Sequence, residues 1–261
     1  MQNEGWEFIL NSKLIESKSF TWSLKFNIGI NRNKLLGYPN LSQSPYADQF
    51  TIGKSLNIVK VLHYIGIDPQ TGTYSFQDRN HDGQITIVYG ANNSDDRYSI
   101  DLSPKFDGGF TNNFSYKNWQ LSIFMYFKKQ IGRNAITGLD APGDISNQPL
   151  DVLSRWQKAG DITNIPKFTT NPYNGNGFSN YQLSSDAIYT DASFIRLQNL
   201  SLSYTLPNGL IKKYGINNFK LYLQGNNLFI ITRYNGLDPE LQSFGGLPLS
   251  RVLTAGISCN F

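Results

Sequence analysis

From Phe20 to Asn31 the chain alternates, with Phe20, Trp22, Leu24, Phe26, Ile28 and Ile30 on one parity and Thr21, Ser23, Lys25, Asn27, Gly29 and Asn31 on the other. A period of two held for about a dozen residues predicts a strand with one apolar face. The pattern returns at Trp119, Leu121, Ile123, Met125 and Phe127, and at Leu200, Leu202, Tyr204 and Leu206. It appears again at Phe219, Leu221 and Leu223, and at Leu253, Ala255, Ile257, Cys259 and Phe261. With runs at 5–15 and 106–116, the predicted strands are 5–15, 20–32, 106–116, 119–130, 193–205, 218–230 and 250–261. Their other faces carry small polar groups such as Ser201, Ser203, Thr205, Lys220, Gln224 and Asn226, which suit a wet surface. Such strands exceed the roughly five or six residues usual in globular sheets and match the roughly 9–11 that cross an outer membrane on a tilt. An antiparallel sheet solvated on one side gives the same alternation, so periodicity alone leaves both readings open.

The connections separate them. Glu16-Ser17-Lys18 and Lys117-Asn118 are tight polar turns, and Leu206–Asn217 is a modest one, whereas 33–105, 133–192 and 233–249 are long and rich in Gly, Pro, Asn, Ser and Tyr. If the last strand runs inward, every short turn falls on one side and every long loop on the other, the pattern of a transmembrane β-barrel. About seven strands do not close such a barrel, and open edges in lipid would leave backbone groups unpaired at a cost of roughly tens of kcal/mol. The chain is therefore expected to be the end of something larger.

Composition excludes other classes. Lys+Arg 23 against Asp+Glu 19 gives +4, with the cations scattered, so no nucleic-acid groove is expected. Cys259 is the only cysteine and His63 and His81 the only histidines, which leaves neither a disulfide framework nor a zinc cluster. No apolar run is long enough for a membrane helix, and MQNEGWEF is no signal peptide. No Ser/His/Asp order, phosphate-cradling glycine loop or metal-protease helix appears, so the chain reads as a non-enzyme.

Asp78-Arg79-Asn80-His81-Asp82-Gly83-Gln84 sets oxygen donors at positions 1, 3 and 5, Gly at 6 and a backbone carbonyl at 7, as a calcium loop does. Position 12 departs from that pattern, being Tyr89, and a replacement carboxylate would come from Asp95 or Asp96. The alternative is a metal-free loop of Asx turns. Trp22, Trp119, Phe127, Tyr204, Phe219 and Phe229 suit interfacial girdles. Tyr173, Phe178, Tyr181, Tyr189, Tyr234 and Phe244 lie in the long loops, where rings either stack on a sugar, pack on a partner or serve the loop itself. Pro149–Gly160, with Leu150, Leu153 and Trp156 spaced by three, predicts a helical patch packing its apolar side onto the loop layer.

Several segments, in order and spacing, resemble one family: GWEF at 5–8, FNIGINRN at 26–33, DRNHDGQIT at 78–86 and DDR at 95–97. PKFDGGFTNNFSYKNWQLSIF at 104–124, LSRW at 153–156, SFIRLQNLSLSYTLP at 193–207, NNLFIITRYNGLDPE at 226–240 and a terminal Phe261 continue the match. Nearly the whole chain is similar to the C-terminal third of SusC/RagA-type TonB-dependent outer-membrane transporters of Bacteroidetes-like bacteria. The resemblance implies an all-β, antiparallel transmembrane barrel of about 22 strands, of which 1–261 supplies about seven with long extracellular loops. The plug domain and TonB-contacting segment are absent from these residues. It further implies import of an oligosaccharide or peptide beneath a SusD-like surface lipoprotein, driven by the TonB complex through the plug, in a barrel embedded in outer-membrane lipid. It favours Asp96 as the added carboxylate in a structural calcium site with Asp78, Asn80, Asp82 and Gln84. Phe261 resembles the closing aromatic that the barrel assembly machinery recognises. Two rivals are a soluble or surface-attached β-sandwich binding glycans and a siderophore receptor of the same transport class.

Overall fold

The structure is a computed structural model that describes residues 1–87, 95–171, 175–242 and 246–260. Tyr89, Tyr173, Phe244 and Phe261 lie outside the described residues. Among these the strands are β1 (Gln2–Glu16), β2 (Phe20–Lys34), β3 (Ile58–Val61), β4 (Tyr64–Ile67), β5 (Tyr74–Phe76), β6 (Tyr98–Asp101), β7 (Phe106–Tyr116), β8 (Trp119–Lys129), β9 (Ile131–Arg133), β10 (Tyr189–Asp191), β11 (Phe194–Thr205), β12 (Asn218–Thr232) and β13 (Val252–Asn260). Seven of them form one antiparallel sheet in the order β1-β2-β7-β8-β11-β12-β13. These are the seven long strands that the alternation predicts. Each neighbours the next in sequence, so the sheet is a meander with short turns at one end and the long loops at the other.

The turns are held locally. Ser17 N–H donates to Phe20 O (2.9 Å), and Lys117, with φ +51°, reverses the chain between β7 and β8. Asn118 Nδ2 donates to Thr205 O (2.8 Å), tying that turn to the end of β11. The modest turn contains a short helix, α2 (Asn208–Ile211).

Register turns alternation into two unlike surfaces. One cross-strand row reads Trp22, Phe114, Leu121, Leu202, Leu223 and Ala255, and another Ile28, Gly108, Phe127, Ile195 and Ile231. On the opposite face the row Ser23, Asn113, Ser122, Ser201, Gln224 and Thr254 carries only small polar groups. A one-residue slip anywhere would exchange the two faces. In β11 the irregularity between Leu197 and Asn199 makes Gln198 an extra residue, so Arg196 and Asn199 both stay on the polar face while Leu197 and Leu200 stay on the apolar one. Gly108 and Gly109 are required by packing. A Cβ on Gly108 would stand 2.1 Å from Asn27 O, and one on Gly109 2.6 Å from the Phe124 ring.

The apolar face has no covering layer among the described residues: Leu253 is 81% exposed, Ile257 65% and Leu223 57%. Burying such a face releases roughly 25 cal/mol per Å², and lipid is one medium that does it. Trp119 and Tyr204 adjoin at the short-turn end, ring centres 4.7 Å apart, and Trp22 Nε1 donates to Asn112 Oδ1 (3.0 Å), satisfying the amide on that face.

The buried core lies in the loop layer instead, where Leu62, Tyr74, Phe76, Ala141 and Phe178 cluster. The 133–192 loop contains a helix, α1 (Phe178–Ser184). The expected helical patch at 149–160 forms one 3-10 turn, Leu150–Ser154. Its packing side is not the one the spacing suggests. Leu150 and Leu153 are exposed, at 84% and 69%, and Val152 is buried in their place. In 3-10 geometry residues three apart eclipse on one side, so Leu150 and Leu153 point out together. Trp156 does dock, its Nε1 donating to Pro69 O (2.9 Å).

Candidate functional site

The loop layer above the long-loop end is built from four polar nodes around the aromatic core. The first is the 78–86 loop. Asp78 accepts from His81 N (2.7 Å) and Gly83 N (2.8 Å), Asn80 from Asp82 N (3.0 Å), and Asp82 from Gln84 N (2.9 Å). These are successive Asx turns, with Gly83 at φ +84° making the sharp bend. Asp96, wholly buried, accepts from Arg79 N (2.7 Å), Asn80 N (3.3 Å) and Thr86 N (2.8 Å). Burial alone would raise its carboxyl pKa, but the amides of Thr86, Arg79 and Asn80 prevail and hold it below the usual carboxylate range.

Among the described residues no three His, Cys, Asp or Glu side chains group as metal ligands. A cation here would rest on Asp78, Asp82, the Asn80 amide oxygen and the Gln84 carbonyl, all hard oxygen donors of the kind calcium takes. The Asp96 carboxylate is engaged by backbone amides behind the loop.

The second node joins the neighbouring motif to a distant segment. Arg97, 5% exposed, bridges Asp95 (2.7 Å) and Asp48 (2.5 Å). The hydrogen bonds it donates to the Asp95 and Asp48 carboxylates hold its guanidinium even more firmly protonated than usual. The DDR segment thus divides its work, Asp96 fixing the 78–86 loop and Asp95 with Arg97 fixing the 41–50 region.

The third node links the two longest loops. Asp186 accepts from Tyr64 N (2.9 Å) and Tyr98 Oη (2.8 Å) and lies 2.5 Å from His63 Nδ1. Burial, then the Asp186 contact, pushes the Tyr98 phenol up to about 12. Tyr98 and Asp186 line a cavity of about 380 Å³ that also takes in Asp101, Lys105, Lys129 and Tyr189. Within its lining Lys105 N donates to Lys129 O (2.8 Å).

The fourth node anchors the third long loop to the sheet. Arg196 Nη2 donates to both oxygens of Asp238 (2.9 and 3.0 Å), with Glu240 at 3.4 Å, and Gln130 Nε2 donates to Pro239 O (2.8 Å). This pair joins the Phe-Ile-Arg of 194–196 to the Leu-Asp-Pro-Glu of 237–240.

Of the loop aromatics, Phe178 is buried in the core and Tyr181 stacks on Tyr74 at 4.1 Å. Tyr234 is buried with its hydroxyl donating to Arg133 O (2.5 Å). These rings build the layer, whereas Tyr189 is half-buried at the cavity wall. Asp48, His63, Tyr98 and Asp186 escape sequence reasoning, because each finds its partner 49 to 123 residues away and no local spacing marks them.

The chain is similar along its whole length to TonB-dependent receptor P3 of Formosa agariphila, 26% identical and spanning 29% of that protein. It is 27% identical to TonB-dependent receptor SusC of Bacteroides thetaiotaomicron, again over the whole chain and 26% of SusC. Among solved structures, the RagAB peptide transporter matches with a TM-score of 0.77 and 25% identity over 98% of the chain and 29% of the matched one. The chain thus spans less than a third of the length of these relatives. No protein-family model matches it.

Proposed function

The chain belongs to the SusC/RagA-like TonB-dependent receptors, and from that premise we propose that it forms part of the barrel wall and the outer loop layer of an importer of oligosaccharides or peptides across the outer membrane. The observation that carries this is the division of one sheet into an apolar face that no described residues cover and a polar face lined by Ser, Thr, Asn and Gln. The apolar face meets lipid, and the polar face lines a lumen holding the plug on which TonB acts. A SusD-like lipoprotein closes over the loop layer, and exposed apolar side chains there, among them Leu150, Leu153 and Ile162, suit such a lid. The 78–86 loop takes a calcium ion through Asp78, Asn80, Asp82 and the Gln84 carbonyl, and the ion staples the loop.

The test is uptake by the full-length protein. Cells lacking the gene should lose growth on one class of oligosaccharide or peptide as sole nutrient, regain it with the wild-type gene, and fail to regain it when TonB is absent. Growth that ignores TonB would overturn the reading. Calcium is tested separately on the purified protein: it should raise the melting temperature and protect 78–96 from protease relative to EDTA, with Asp78→Ala abolishing the difference. Equal stability in calcium and EDTA would exclude the ion.

A further inference from the structure

Strand parity continues past the apolar face toward the long-loop end, and there it meets cations. In β2 the outward series Ile28, Ile30 ends in Arg32 and Lys34, and in β8 the series Met125, Phe127 ends in Lys129. Arg233 follows Ile231 by two residues, and Arg251 precedes Leu253 by two. The carboxylates on this rim are Glu4, across from Arg32, and Asp191, which pairs with Lys129 at 2.6 Å. At the short-turn end the outward row is instead Phe20, Tyr116, Trp119, Tyr204, Leu221 and Ile257. At the long-loop rim the cations thus follow the apolar series on the strands themselves, whereas at the short-turn end Lys18, Lys117, Lys212 and Lys213 sit in the turns beyond an aromatic row.

Just below it lies a groove of about 450 Å³ floored by Phe106, Phe127, Ile195 and Ile231, with Lys129 and Arg233 at its mouth. Lys128 also borders the groove, but its register opposite Asp107 and Phe194 sets it on the polar parity. Asp191 balances Lys129, accepts from Ser193 N (2.9 Å) and holds the ammonium at the rim. Arg233 is exposed, and no carboxylate pairs with it among the described residues. The groove spans β7, β8, β11 and β12, inside the sheet and away from its edges.

We propose that this groove binds one phosphate-bearing lipid of net negative charge from the surrounding leaflet. Its acyl chain lies on Phe106, Phe127, Ile195 and Ile231, and its phosphate sits between Arg233 and Lys129. Charge complementarity selects the anionic headgroup, and continuity of the floor with the apolar face selects a lipid over a free anion. The proposal rests on the reading of the sheet as membrane-spanning wall.

The experiment uses the full-length protein in mild detergent, with lipid adducts counted by native mass spectrometry. Lipid A and phosphatidylglycerol should be retained at least about fivefold over phosphatidylethanolamine, the factor that one cation without a carboxylate partner, Arg233, gives toward an anionic headgroup. Arg233→Gln should remove most of that preference and Ile195→Trp, which fills the groove, should reduce retention of every lipid, while Arg155→Gln in the loop layer should change nothing. Excess inorganic phosphate should not displace the adduct; if it does, the site takes a free anion and the proposal falls. Equal retention of all three lipids, or an unchanged preference in Arg233→Gln, also overturns it. Heat-modifiable migration of the same samples separates this outcome from failure of the wall reading: a folded outer-membrane barrel without lipid preference sinks only the lipid site, and a protein that never enters the membrane sinks the premise.

Discussion

Removing the Asp238 carboxylate should free the third long loop without unfolding the sheet. Arg196 is 4% exposed and Asp238 8%, and the two hydrogen bonds between them are 2.9 and 3.0 Å. Stranding one member of such a buried pair costs about 3–5 kcal/mol. Glu240, 3.4 Å from the guanidinium with a side chain about a third exposed, compensates in part, which puts Asp238→Ala near the lower bound, ~3 kcal/mol. Asp238 Oδ1 also accepts from Glu240 N (2.8 Å), and its backbone oxygen from Gln242 N (3.1 Å), so those amides report directly on the loop. At about 1.4 kcal/mol per tenfold, hydrogen exchange at Gln242 should accelerate by roughly 100-fold, with amides in β11 and β12 unchanged. Replacing both partners, Arg196→Met with Asp238→Leu, removes the stranded charge and should recover most of the protection. Acceleration of less than about threefold in Asp238→Ala, under 1 kcal/mol, would refute the claim that this pair fastens the loop.

Other consequences follow from single contacts. Gly72 stands at φ +70°, and a Cβ there would lie 2.4 Å from the Trp156 ring; Gly72→Ala should cost about 1–3 kcal/mol and expose Trp156, seen as a red shift in its fluorescence. Asp96 titrates below its ordinary range when folded, so its contribution is complete above the unfolded carboxyl pKa of about 3.9 and is lost as pH falls through the lower folded value; amide exchange at Arg79 and Thr86 should accelerate only in that acid range. Leu200→Lys, on the apolar face two rows in from the Trp119–Tyr204 end, should reduce the folded, heat-modifiable fraction by the equivalent of about 2–4 kcal/mol, while Ser201→Lys on the other face should cost little.

The sheet is legible in the sequence because the cause of each strand is local. Phe20 to Ile30 and Leu253 to Ile257 declare their faces by parity alone, and the short turns fix which strands are neighbours. In β8 the signal blurs, since Phe124 and Tyr126 place rings on the polar parity; only the register to Thr111, Asn199 and Arg196 assigns them. The loop layer is less legible for a physical reason. Its core residues, Leu62, Tyr74, Phe76 and Phe178, come from separate segments with no shared period, and its ion pairs join residues that only the folded chain brings together. Two rings read as possible ligand contacts, Phe178 and Tyr234, are buried because a layer built from glycine-rich and proline-rich segments draws its packing from the few large side chains available.

The central claim is that one face of the sheet meets lipid and the other a polar interior. It is tested most directly by placing spin labels singly at positions 119–128 of β8 in the full-length protein, reconstituted in bilayers, and reading their accessibility to oxygen and to a water-soluble nickel complex. Oxygen accessibility should peak at 121, 123 and 125 and nickel accessibility at 120 and 122, with a period of two and opposite phase. Strong nickel accessibility at 121, 123 and 125 would mean that the apolar face is turned to water, and would contradict the account.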